Sequence, residues 1–107
     1  MPQALVLVRD LLFASKISAT AQAAKVQIKI IRDAEKLAGE SGDRLILDLN
    51  QPGALEAAVQ WKSSHPGQAI GFVSHVDRAT IDRAQAAGID QVLPRSQFVA
   101  RLPELLR

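Results

Sequence analysis

Short apolar runs alternate along this chain with alanine-rich stretches of helical periodicity, and that alternation constrains the fold more than any other feature. Ala4-Leu5-Val6-Leu7-Val8 is unbroken, branched and too short for a helix, as in a strand buried on both faces. Leu11 to Ala24 follows, with Leu12, Phe13, Ile17, Ala21 and Ala24 at near-helical spacing. Val26, Ile28 and Ile30 then alternate with Gln27 and Lys29, which suits a strand near a sheet edge. Ala34 to Ala38 predicts a short second helix, ended by Gly39 and Gly42. Leu45-Ile46-Leu47 is the third strand and delivers Asp48 to its C-terminal tip. Leu55, Ala58, Val59 and Lys62 predict a third helix, stopped before the turn Ser64-His65-Pro66-Gly67. Ala69 to Val73 is the fourth strand, and Ile81, Ala84 and Gln85 lie on a helix that Gly88 ends as a left-handed cap. Gln91-Val92-Leu93 is the fifth strand. From Ser96 to Arg107 a helical stripe of Phe98, Val99, Leu102, Leu105 and Leu106 is interrupted by Pro103, so the last helix is predicted to be short, kinked or split.

Strands that alternate with helices demand a parallel sheet with right-handed crossovers and helices on both faces. The fold class is therefore α/β, a doubly wound five-stranded parallel sheet with a short final helix, and one domain over residues 1–107 is expected for this length. In such a sheet the functional crevice lies beyond the carboxyl ends of the strands, which points to Asp10, Asp48, Ser74 and Arg95.

Composition narrows the function. Hydrophobic residues at 48% with 22% charged are globular, and no apolar stretch approaches the roughly 18 residues a spanning helix needs. No membrane partner is expected. Without cysteine the chain has neither disulfides nor thiolate metal sites, and without a signal-like start the expected location is cytoplasmic. The thirteen Lys and Arg residues are spread without a cluster, and the four aromatic residues offer little for base stacking, so a nucleic-acid partner is not expected either. The sequence Arg9-Asp10-Leu11-Leu12-Phe13 after the first strand lacks the glycines of a dinucleotide fingerprint or a P-loop, which speaks against a nucleotide or flavin module.

The chain resembles the receiver domains of two-component signalling, which include the single-domain chemotaxis response regulator, over essentially its whole length. The order of elements is similar. The motif Asp48-Leu49-Asn50-Gln51-Pro52 matches the receivers' Asp-x-x-x-Pro after the third strand; Asp10 matches the second member of their acidic pair, Ser74 their Ser or Thr, Arg95 the position of their Lys, and Ala87-Gly88 their small pair before the fifth strand. The resemblance implies a flavodoxin-like fold and a non-enzymatic signalling module in a phosphorelay, with a sensor kinase or other signalling protein as partner. It implies Asp48 as phosphoacceptor, Asp10, Asp48 and the Asn50 carbonyl as ligands of Mg²⁺, Ser74 as the switching hydroxyl and Arg95 as the cation.

The chain departs from the pattern in one direction, towards cationic and bulky groups. Arg9 stands where receivers keep an acid, Arg95 replaces Lys, His75 follows Ser74, and Ser96 replaces a proline. A guanidinium pairs carboxylates in bidentate fashion but is not geometrically equivalent to an ammonium. The alternative is therefore a pseudo-receiver, in which Arg9 or Arg95 pairs with Asp48 or Asp10 in place of the metal, and contact with other proteins is the output. Plainer readings also stand. Asp10 has the form of a helix N-cap, Asp48 and Asn50 of loop residues, Ser74 of a strand terminator, His65 and His75 of loop residues, and Trp61 of a core residue. A homodimer through the fourth helix, fifth strand and last helix is a further expectation, on the reading that the short final stripe leaves apolar surface.

Overall fold

A computed structural model describes residues 3–73 and 77–106. Five strands form one parallel sheet in the order β2-β1-β3-β4-β5: β1 (Ala4–Leu7), β2 (Ile28–Ile31), β3 (Arg44–Asp48), β4 (Gln68–Val73) and β5 (Gln91–Pro94). This is the flavodoxin-like order, in which the chain first winds outward from β1 to β2 and then returns across it to β3. Between the strands run α1 (Leu11–Ala23), a 3-10 helix (Ala34–Gly39), α2 (Ala54–Ser64) and α3 (Arg78–Ala86); α4 (Arg95–Ala100) and α5 (Leu102–Leu106) follow β5.

The three inner strands, β1, β3 and β4, are apolar along most of their length because they bury both faces, whereas the outer β2 exposes Lys29 and β5 is only half-buried. Ala4, Val6 and Val8 of the first run join Ile46, Ile70 and Phe72 under α1, α4 and α5. Leu5 and Leu7, one residue out of phase, join Leu45, Leu47, Ala69 and Val73 under α2 and α3. The period-2 alternation of strand side chains thus divides one sheet between two cores. Trp61 closes the second core from α2, its Nε1 donating to the Glu40 carbonyl at 3.3 Å.

Three local outcomes refine the sequence reading. The second helical segment is a 3-10 helix: its i to i+3 bonds run from Lys36 N–H to the Asp33 carbonyl and from Glu40 N–H to the Leu37 carbonyl. Six residues that bury only Leu37 cannot repay a full α-helical nucleus. The last helix is split. Pro103 carries no N–H, and Arg101 leaves helical geometry ahead of it, so α4 and α5 pack as two short pieces. The third outcome is a correction: Phe98, Leu102, Leu105 and Leu106 are all buried, because the two pieces pack into the core that α1 shares with the sheet. The incompletely covered stripe that motivated a homodimer is absent from this face.

Candidate functional site

The pairing of β1 with β3, with Leu7 opposite Leu47, brings the two aspartates to one rim of the sheet on neighbouring strands. Asp48 is the last residue of β3, opposite Phe72 of β4, and is half-buried. Its Oδ1 accepts the Asn50 backbone N–H at 2.9 Å, and its carbonyl accepts the Gln51 N–H at 3.1 Å. The Asp-x-Asn segment thereby closes a tight turn that leads into α2.

Asp10 serves as the helix N-cap that its sequence position suggests, and it does more. It caps α1, its Oδ1 accepting the N–H groups of Leu12 at 3.0 Å and Phe13 at 3.3 Å. Two orphan donors of the helix are satisfied. Its second oxygen, Oδ2, faces the Arg95 guanidinium at 3.8 Å. Arg95 starts α4 directly after Pro94, and its guanidinium carbon lies 4.0 Å from the centroid of the Phe13 ring. Phe13 in turn touches Phe72 and Phe98, with centroids 5.0 and 5.9 Å away. A cation over an aromatic face gains from the ring quadrupole, and the ring also fixes the planar group. Arg95 is therefore held from two sides, by the carboxylate at the end of β1 and by the aromatic cluster beneath it.

Arg9 does not join this group. Its guanidinium pairs with Asp33 at 3.5 Å, on the side of β1 that faces β2. The expectation that Arg9 could replace the metal is corrected on that geometry: Arg9 and Asp10 are successive residues leaving a strand, and the helix cap that fixes Asp10 over α1 directs Arg9 the other way. Ser74 and His75 lie outside the described residues. Two residues of the rim carried no functional sign in the sequence. Phe13 seats Arg95, and buried Gln51 donates Nε2–H to the Arg32 carbonyl at 2.8 Å, tying the loop after β3 to the end of β2. The first pairing joins distant segments, and no local pattern encodes it.

Many solved structures share this architecture. A response regulator from Burkholderia pseudomallei, solved with a phosphorylated aspartic acid, calcium ion and citrate, superimposes with a TM-score of 0.82 at 15% identity, over 100% of this chain and 67% of that one. The BeF3-activated receiver domain of DrrB gives 0.80 at 20% identity over 99% and 97%. A CheY-like receiver domain protein from Methanospirillum hungatei gives 0.81 at 14% over 99% and 94%. The fold is that of receiver domains. No protein-family model and no curated protein matches the chain.

Some receiver-fold neighbours were solved with a metal or with beryllofluoride, so the donors here can be weighed against a divalent ion. Hard cations need several free oxygens at one point. Among the described residues no group of three or more His, Cys, Asp or Glu side chains is placed to share an ion. Of the two aspartates on the rim, Asp10 has one oxygen committed to two helix N–H groups and the other turned to a guanidinium. That set fits an arginine better than Mg²⁺.

Proposed function

We propose that this receiver-fold domain is a signalling module of the pseudo-receiver kind, in which Arg95 takes the place of the metal and output is by contact with other proteins, without phosphorylation. The observation that supports this most is the double commitment of Asp10, to the α1 cap and to Arg95, with Phe13 seating the guanidinium. A receiver needs a concentrated positive charge beside its strand-three carboxylate to stabilise a transferring phosphoryl group. Here a fixed organic cation beside Asp10 supplies positive charge permanently, so one conformation is held whatever the phosphate donor. In this reading the domain is not an enzyme, works in the cytoplasm, and meets a sensor kinase or another signalling protein through its surface.

The competing reading, Asp48 as phosphoacceptor with Mg²⁺ on Asp10, Asp48 and Asn50, is favoured by the position of Asp48 at the tip of β3. Incubation with acetyl phosphate and Mg²⁺, followed by intact-mass measurement, separates the two. The unmodified mass is expected, and a stoichiometric phosphoryl adduct mapped to Asp48 would overturn the pseudo-receiver proposal.

A further inference from the structure

The outer side of β2 gathers what the sequence disperses. Among the described residues β2 is an edge strand, paired only with β1. The carbonyls of Gln27 and Ile31 point inward, accepting N–H groups from Gln3, Ala4 and Val8. Residues of a parallel ladder address alternate sides, so Ile28 and Ile30 turn their N–H and C=O groups outward, where no strand follows. Beside this edge the segment that normally would be a covering helix is only the six-residue 3-10 helix. A groove of about 590 Å³ remains, lined among others by Arg9, Lys29, Ile30, Arg32, Lys36 and Glu40.

Four cations line that groove against two carboxylates, Asp33 and Glu40. The carboxylates are engaged: Asp33 with Arg9 at 3.5 Å and Lys36 at 3.8 Å, Glu40 with Lys29 at 2.7 Å. Arg32 is exposed and has no carboxylate within 4.0 Å among the described residues. The groove therefore carries an uncompensated positive charge alongside a row of unpaired backbone groups. A lysine on an edge can serve only to keep other strands away. Here it is one of four cations, and its own charge is already met by Glu40.

We infer that this edge accepts an extended acidic segment of a partner protein as a sixth strand. Backbone bonds to Ile28 and Ile30 supply the register, and acidic side chains on the groove side meet Arg32 and its neighbours; strand addition of this kind takes its affinity from the main chain and its specificity from alternate side chains. A second copy of this chain fits less well, because antiparallel pairing of two such edges sets Lys29 and Arg32 against the same cations. The inference is independent of whether Asp48 is phosphorylated.

The test uses a fluorescein-labelled peptide of alternating Glu and Val, titrated into isotope-labelled protein, with anisotropy and backbone amide shifts as readouts. Saturable binding is expected, with the largest shifts at Ile28 and Ile30. Arg32→Glu, an exposed change outside both cores, should weaken binding about tenfold or more, and Lys29→Gln by less, since it removes a charge without reversing one. Four results would overturn the inference: no saturable binding; equal binding of the peptide when alternate backbone nitrogens are methylated; equal binding of single-stranded DNA; or concentration-dependent shifts of Ile28 and Ile30 in the protein alone, which would mark a second copy as the occupant.

Discussion

Asp90, in the turn between α3 and β5, shows how one side chain can tie three elements together. Its Oδ2 accepts the Ala69 N–H of β4 at 2.7 Å and an ion-paired hydrogen bond from Lys62 of α2. Burial alone would raise its pKa, but the Lys62 hydrogen bond, the Ala69 N–H and the Lys62 charge together outweigh it and lower the pKa below the ordinary value of 3.8. The folded state thus favours the ionised form. A lowered folded-state pKa contributes stability that is full above the unfolded value and is lost as pH falls through the folded one. Denaturation midpoints of the wild type should accordingly fall on acidification from about pH 5 downward, and Asp90→Asn should both lower the midpoint at pH 7 and flatten that acid limb. An unchanged acid limb in the variant would show that other carboxylates govern it. Arg95 belongs to the same scale. Arg95→Ala removes the guanidinium above Phe13 and leaves Asp10 with its cap bonds alone, while Arg95→Lys restores charge without the flat group. If stacking matters as the geometry indicates, the near-ultraviolet signal of the phenylalanine cluster should change in both variants.

The connections between elements depend on glycine where the backbone is crowded. A Cβ at Gly67, just before β4, would meet the Asp43 carbonyl group and sit 2.9 Å from Trp61 Cη2. At Gly71, inside β4, the nearest atoms to the added methyl would be those of the Leu49 side chain, with Cδ1 at 2.6 Å. Backbone cannot move aside as a side chain can. Gly71→Ala is expected to cost about 1–3 kcal/mol, as overpacking does, and Gly67→Ala more, read from urea unfolding of the two variants side by side. The sequence marks Gly67 only as part of a turn, because the carbonyl it meets belongs to a distant segment. The strands themselves were legible, since five apolar runs bounded by turn residues leave few other readings. What was not legible was helix type and lateral placement. Ala34 to Ala38 has helical composition, and only its brevity and its single buried residue, Leu37, decide for a 3-10 turn. At the site, Asp10, Asp48 and Arg95 could be placed at strand ends from the alternation alone. The partners of Arg9 and Arg95 could not, because Asp33 and Phe13 reach them only once the sheet order is set.

For the whole molecule, the final helices decide whether one side of the sheet is covered. Leu102, Leu105 and Leu106 of α5 are buried against the α1 side, and the Arg44 guanidinium donates to the Leu105 carbonyl. Burying a leucine contributes roughly 1.5–3 kcal/mol, and a domain's whole margin is about 5–15 kcal/mol. Removing residues 102–107 should therefore leave a chain that binds a hydrophobic dye and loses its cooperative urea transition. Retention of a sharp transition would mean that α4 alone suffices. No helix among the described residues is long and apolar enough to cross a membrane. The two cores also differ in their aromatic content. All three phenylalanines pack on the α1 side, while the single tryptophan, stacked on His65 at 4.8 Å, lies on the other. The protein consequently has a built-in optical probe that watches one layer and is blind to its opposite. Comparing indole emission with peptide-bond dichroism during melting can reveal whether the two halves come apart in concert or in succession, with no label attached.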